Sequence, residues 1–223
     1  MDPMRYRLLR LTVALLVWLL LRPQVDGREN IPRQGPVILA SNHLSFFDSV
    51  LIPIVSPRQV TFLAKEEYFT GRGIKGALSR WFFTTMGHIS VKRDDPRAGQ
   101  RSLDDALTVL SEGGAFGIYP EGTRSRDGKL HDGKTGVAWL ALAGRAPVIP
   151  VAVVDTQKVQ PVGARFPRVM ARVLHKARVQ VHFGPAIDPN RQLTAGSSPA
   201  KARRDLTDDV MDAIGAMSGQ ERA

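Results

Sequence analysis

The chain has 223 residues and a formal net charge of +10, long enough for one sizeable core and short for two independent ones. It contains no cysteine, which excludes disulfides, thiolate metal sites and a cysteine nucleophile, and which fits a reducing compartment. The positive balance favours an anionic partner, whether nucleic acid, anionic lipid or a phosphorylated substrate.

The first unusual segment runs from Arg5 to Arg22. Leu11–Leu21 is interrupted only by Thr12, with Arg5, Arg7 and Arg10 ahead of it and Arg22-Pro23 behind. A bilayer-spanning helix needs about 20 apolar residues, more than this run supplies. A signal peptide, a buried core helix and a helix lying in the bilayer interface compete. The signal-peptide reading lacks a small-x-small cleavage site in Arg22-Pro23-Gln24-Val25-Asp26. An interfacial helix fits best, with its arginines at the headgroups and its leucines and Trp18 below them. Residues 1–23 are therefore expected to form a membrane-associated helix and residues 24–223 a single α/β domain.

From Val37 onward, short apolar runs alternate with helical patterns. Val37–Ala40, preceded by the turn signal Gly35-Pro36, reads as a buried strand, followed by a helix over roughly 46–55. Gln59–Ala64 reads as a strand, Ile74–Thr85 as a helix, and His88–Val91 as a short strand. Asp94-Asp95-Pro96 is a helix start. Leu103, Ala106, Leu107 and Leu110 then make one apolar stripe, closed by Gly113-Gly114. Ala115–Tyr119 is the next strand and Val137–Ala143 lies in the next helix. Val148–Val154 is a strand whose Pro150 implies a sheet edge or a bulge. Val179, Val181 and Phe183 alternate as a half-buried strand, and Ser198-Pro199 caps a last helix with the stripe Leu206, Val210, Ile214 and Met217. The basic stretch before and around the Val179–Phe183 strand (Lys158, Arg165, Arg168, Arg172, Lys176, Arg178) is either a solvated surface or one that meets headgroups or phosphate.

Strands separated by helices imply βαβ crossovers, hence an α/β fold with a mainly parallel central sheet flanked by helices. Ligands bind such sheets beyond the carboxyl ends of the strands. Each notable polar cluster follows an apolar run: Asn42–Asp48, Lys92–Asp95 and Glu121–Arg126. The clusters are therefore expected along one sheet edge, sharing a crevice. His43 and Asp48 are five positions apart, a little over one helical turn, so the carboxylate can orient the imidazole and support it as a general base. Tyr119–Ser125 ends a strand in a tight turn whose Arg124 and backbone amides could cradle a phosphate, unless Arg124 simply pairs with Glu121.

Two apparent motifs are set aside. Gly128–Thr135 satisfies G-x-x-x-x-G-K-[ST], but a P-loop follows directly on a buried strand and this stretch follows the charged turn Arg124–Asp127. His88, His131, His175 and His182 lack metal-ligand spacing, so no metal site is expected.

Asn42-His43-x-Ser45-x-x-Asp48, Gly87 with Arg93 six residues on, Tyr119–Ser125 and Val148–Val151 stand in the order of the four blocks of the glycerolipid acyltransferases. The chain resembles 1-acyl-sn-glycerol-3-phosphate acyltransferases over about residues 25–183. Gly27–Pro32 and Phe183-Gly184-Pro185 also look like family features. Two positions depart: Tyr119 stands where the third block usually begins with Phe, and Ser90 where the second usually has an aromatic.

The resemblance implies transfer of a fatty acyl group from a thioester donor (acyl-CoA or acyl carrier protein, as co-substrate and not cofactor) to the free hydroxyl of lysophosphatidate. His43 and Asp48 would be catalytic. Glu121, Gly122, Thr123 and Arg124 would bind the acceptor, with Arg124 and Arg93 on its phosphate. Asn42 and Ser45 would shape the turn. Glycerol 3-phosphate or another lysolipid is the alternative acceptor, and a non-catalytic lipid-binding protein the rival outside enzymes. The expected partners are a lysophospholipid, an acyl thioester and an anionic membrane surface at the cytoplasmic face of the cell membrane, with the protein peripheral or monotopic. Nucleic acid is not expected, because no recognised module accompanies the charge.

Overall fold

Strand β2 (Val37–Ser41) is buried along its whole length, and its side chains divide between two cores. Val37 and Leu39 enter one apolar cluster while Ile38 and Ala40 enter another, as the alternation of a strand covered on both faces requires. The computed structural model describes residues 3–91, 98–164, 167–168, 170, 176–192 and 198–223.

Around β2 lies a seven-stranded sheet in the order β1-β7-β6-β2-β5-β3-β4. The other strands are β1 (Gln24–Asp26), β3 (Val60–Lys65), β4 (Ile89–Val91), β5 (Ala115–Ile118), β6 (Val148–Val154) and β7 (Gln180–Phe183). Strands β6, β2, β5, β3 and β4 are mutually parallel, whereas β7 runs antiparallel to β6 and β1 parallel to β7. Helices α1 (Pro3–Leu20) and α2 (Asp48–Val55) cover one face, through Tyr6, Leu9, Val17, Leu51 and Ile52. Helices α5 (Ala98–Ser111), α6 (Gly136–Gly144) and α8 (Pro199–Ser218) cover the other, through Ala106, Leu110, Val137, Leu140, Leu206 and Val210. Between β3 and β4 lie α3 (Glu67–Thr70) and α4 (Gly73–Thr85), and α7 (Thr156–Val159) follows β6. The expected α/β architecture with a mainly parallel sheet is present.

Several details differ from the sequence reading. Pro150 is not at a sheet edge, since β6 lies between β2 and β7. It is tolerated because the regular β6–β7 ladder starts only at Val151↔Phe183. The Gly184 N–H donates to the Pro150 carbonyl at 2.8 Å, so this step uses the acceptor that proline retains. An irregularity is present, but on the partner segment: Val148 pairs with Ile187, leaving Pro185 and Ala186 opposite Ile149 alone. Strand β1 was not anticipated, because Gln24-Val25-Asp26 holds one apolar residue and shows no alternation to read. Arg10, expected at lipid headgroups, instead turns inward, and its guanidinium donates to the Ile54 and Ser56 carbonyls at the end of α2. Lys92, Arg93 and the helix start at Asp94-Asp95-Pro96 lie outside the described residues.

Two sequence features far apart in the chain form one joint. Gly27, at φ 68°, lies so close to Phe183 that a Cβ would stand 1.9 Å from its carbonyl oxygen, and Asn30 Nδ2 donates to that same oxygen at 2.8 Å. The link fixes the segment after β1 to the end of β7.

Candidate active site

The loop leaving β2 carries His43, and α2 begins at Asp48 rather than a residue or two earlier. The carboxylate therefore sits at the helix start and reaches back over the loop. Asp48 Oδ2 accepts from Leu44 N at 2.8 Å and from Ser45 N at 2.8 Å, and lies 2.9 Å from His43 Nδ1. Asp48 is fully buried and His43 nearly so. An ionised carboxylate only accepts, so His43 carries its proton on Nδ1 and presents the lone pair of Nε2. Nε2 has no hydrogen-bond partner among the described residues. Asn42 and Ser45 both bond backbone groups at the end of β6 or in the segment that follows it. The Asn42 amide bonds both the N–H and the C=O of Val153, and Ser45 Oγ donates to the Gln160 carbonyl at 2.7 Å.

The turn after β5 grips the same loop. Glu121 Oε1 accepts from His43 N at 3.1 Å, Glu121 Oε2 accepts from His131 N at 3.1 Å, and Ser125 N donates to His43 O at 2.8 Å. Burial raises the Glu121 pKa, and the His131 and His43 N–H bonds work against that shift. Both oxygens of Glu121 are thus occupied by backbone donors, and the side chain braces two loops together. Gly122, at φ 75°, closes the turn with a 2.9 Å bond to Tyr119 O, and Thr123 is exposed. Of the turn's residues from Glu121 on, Arg124 is the one that lines the cleft. It does not pair with Glu121, and among the described residues it has no hydrogen-bond or ion-pair partner.

The cleft is lined by His43, Phe46, Tyr68, Phe83, His88, Tyr119, Arg124 and, unanticipated, Lys65. Lys65 is the last residue of β3, at the same carboxyl edge, and it too has no partner among the described residues. Applying the sheet-edge rule to the run ending at Ala64 would have found it, because Lys65 is the next residue. His43 and Arg124 do share one crevice. Ser90, on β4, is exposed and does not line it.

The departure at Tyr119 has a structural use. Its ring stacks on the His43 imidazole with centroids 3.7 Å apart and planes within 10°, and its hydroxyl bonds Ser49 Oγ at 2.8 Å. Phe62 stacks behind it at 5.3 Å, over Gly117, where a Cβ would fall 2.1 Å from the Phe62 ring. Burial, followed by the charge of Asp48, raises the Tyr119 pKa well above its usual value, so it remains a neutral phenol. His88, also in the cleft, accepts from Phe62 N at 3.2 Å through Nδ1, and burial holds its pKa down to about 4.

The Gly128–Thr135 stretch does not directly follow a strand. Leu130 bonds the C-terminal segment instead, receiving from Ala223 N and donating to Glu221 O. Among the described residues no three His, Cys, Asp or Glu side chains are grouped to hold a metal ion.

The sequence profile named Acyltransferase matches residues 22–154, which include His43, Asp48, Lys65, Tyr119 and Arg124. The chain belongs to the Acyltransferase family. Its region of similarity to the chloroplastic 1-acyl-sn-glycerol-3-phosphate acyltransferase BAT2 of Brassica napus covers 70% of this chain and 44% of that protein, at 29% identity. Similarity to the 1-acyl-sn-glycerol-3-phosphate acyltransferase of Bacillus subtilis covers 58% of this chain and 61% of that one, at 32% identity. The crystal structure of the 1-acyl-sn-glycerophosphate acyltransferase PlsC from Thermotoga maritima superimposes with a TM-score of 0.65 at 27% identity, covering 91% of this chain and 74% of that one. This acyltransferase-family chain spans about half the length of several curated relatives it matches.

Proposed function

We propose that the protein transfers a fatty acyl group from a thioester, acyl-CoA or acyl carrier protein, to the free hydroxyl of lysophosphatidate at a membrane surface, giving phosphatidate. The observation that carries this reading is the combination in one cleft of an imidazole backed by a buried carboxylate and two cations, Lys65 and Arg124, that have no partner among the described residues. Two cations without partners suit a phosphate monoester, which offers several acceptor oxygens and nearly two negative charges. Arg93, from the second sequence block, belongs with them in this reading, and the Glu121–Thr123 turn acts by holding Arg124. The names of the relatives agree with the acceptor.

In the reaction, His43 Nε2 takes the proton of the acceptor hydroxyl as its oxygen attacks the thioester carbonyl carbon. Asp48 holds the ring and stabilises the imidazolium. Collapse of the tetrahedral centre breaks the C–S bond, and the imidazolium returns its proton to the departing thiolate. No covalent enzyme intermediate forms. General-base help of this kind contributes about 10²–10⁴-fold.

The test is release of the thiol from acyl-CoA or acyl carrier protein with lysophosphatidate in liposomes. No release from the folded wild type with any thioester donor and lysolipid acceptor would sink the enzyme reading. Full activity in His43→Ala would sink the mechanism. Arg124→Ala and Lys65→Ala are expected to raise KM for lysophosphatidate more than for an acceptor lacking phosphate, by roughly tenfold or more for the loss of one charge-assisted contact. An equal effect on both acceptors would remove the phosphate assignment.

A further inference from the structure

Helix α4 presents apolar residues on both sides. Its inner side supplies Phe83, buried among Tyr68, Phe46 and His88 in the wall of the cleft. Its outer side carries Ile74, Leu78 and Trp81, which are 89%, 63% and 46% exposed. Their spacing, with Ala77 between, puts all four on one stripe of the helix. A water-facing helix surface in a globular protein is normally polar, so three large apolar side chains in one exposed row call for an occupant.

The neighbouring element identifies that occupant. Helix α1 contacts α2 and α4 and buries Tyr6, Leu9 and Val17 in the core, yet it exposes Leu8, Leu11, Leu15, Trp18 and Leu19. From Leu11 to its end α1 carries no charge on any side, and a helical stretch apolar all round is at home in a core or in lipid. No described helix is long and apolar enough to cross a membrane. The exposed charges on and beside α4, Arg72, Lys75 and Arg80, are cations, and α4 itself contains no acidic residue; Glu67 on α3 is the nearest exposed acidic residue in sequence. Apolar stripe, interfacial tryptophan and flanking cations together match the surface of an anionic phospholipid bilayer.

We propose that the Ile74–Leu78–Trp81 face of α4 is a membrane-contact surface in its own right, working beside α1 and setting the cleft against the headgroup layer. The contact then lies on a helix that also walls the cleft, so a lysolipid could leave the bilayer beside the residues that bind it; only this consequence rests on the acyltransferase reading. Since α4 belongs to the domain, membrane binding should persist in part when residues 1–22 are removed, and should resist salt, unlike binding by exposed cations alone.

The experiment exploits the absence of cysteine, which makes Leu78→Cys the sole thiol of the 223-residue chain. The variant is labelled with an environment-sensitive fluorophore and mixed with phosphatidylcholine–phosphatidylglycerol vesicles. The expected result is a blue shift on vesicle binding, with quenching by lipids brominated near the headgroups. A probe that stays in water while the protein floats with vesicles overturns the proposal. A shift that needs no vesicles and grows with protein concentration overturns it too, in favour of a second copy of the chain on this face. In parallel, Ile74→Gln/Leu78→Gln should weaken vesicle affinity about tenfold or more, while thiol release with a soluble short-chain acceptor is unchanged. Unaltered vesicle affinity in that variant sinks the proposal, whereas loss of thiol release in the wild type sinks only the enzymatic reading.

Discussion

Beside the His131–Asp127 contact, made through Nε2 at 3.0 Å, the described residues hold two histidine–aspartate pairs joined through Nδ1, and in the proposed mechanism only one of them serves as a base. In both, a histidine Nδ1 lies 2.9 Å from a carboxylate oxygen: His43 with Asp48, and His182 with Asp26. Around Asp48 the side chain is 0% exposed and two backbone N–H groups hold the same oxygen, whereas Asp26 is 66% exposed on the outermost strand. His43 keeps Nε2 free in a cleft, while His182 Nε2 is engaged by Gln180 Oε1 at 3.1 Å. His43 follows the carboxyl end of a central strand, and His182 sits inside β7 in register with Asp26 of β1. A pair distance is therefore poor evidence of function. Burial of the carboxylate, a free second nitrogen and a place at the sheet's carboxyl edge are what distinguish the two.

The largest effect tests that distinction directly. His43→Ala is expected to lower acyl transfer by about 10²–10⁴-fold with the fold retained by circular dichroism. Asp48→Asn should approach the same loss, because an amide no longer stabilises the imidazolium. If thiol release survived both changes, the buried pair would be no more catalytic than the exposed one.

A buried histidine without a carboxylate partner sharpens the comparison from the other side. His88 is held neutral by burial, its pKa lowered to about 4 from an ordinary 6.5. Between those values the unfolded chain binds more protons than the folded one, so stability is full above about pH 6.5 and falls as pH drops toward 4. The loss across that window is about 3 kcal/mol. Urea unfolding of wild type and His88→Gln at pH 7 and pH 4.5 checks this: the variant should lose much of the difference, and an equal pH effect in both would refute it.

Much of this architecture was legible from residue patterns. The elements between Val37 and Val154 announce themselves through apolar runs bounded by Gly and Pro, and the sheet-edge rule alone brings His43 and Arg124 together. What remained hidden has physical reasons. Strand β1 is too short to carry a period. The reversed direction of β7 depends on a connection through residues with no regular pattern. Arg10 looks like any basic residue flanking an apolar run, and only packing reveals that it caps α2. Lys65 follows an apolar strand by one position, a place where a lysine usually marks the return to solvent. The Tyr119 stack on His43 joins residues 76 positions apart, beyond any local signal.

That stack yields a moderate prediction. Tyr119→Leu removes an aromatic face from the imidazole and is expected to lower kcat roughly tenfold with KM for lysophosphatidate little changed, an aromatic contact being worth about 0.5–1.5 kcal/mol. Tyr119→Phe keeps the ring and gives up only the bond to Ser49, so it should restore most of the rate. Equal losses in the two variants would mean that the hydroxyl, not the ring, supports His43.

The smallest effect is expected at the other pair. An exposed ion pair is screened by water and salt and is worth about 0–1 kcal/mol. His182→Ala and Asp26→Asn should therefore each leave acyl transfer unchanged and shift the urea midpoint only slightly, by less at high salt than at low. The backbone pairing of β1 with β7 does not depend on these side chains, and the Gly27–Phe183 joint anchors the same end of β1 independently. A loss of activity in His182→Ala comparable to that of His43→Ala, from protein still folded, would overturn the argument from burial and position, since the two pairs would then behave alike despite their surroundings. An unchanged rate beside a dead His43→Ala would mean that the carboxylate's setting, rather than its distance from the imidazole, makes the base.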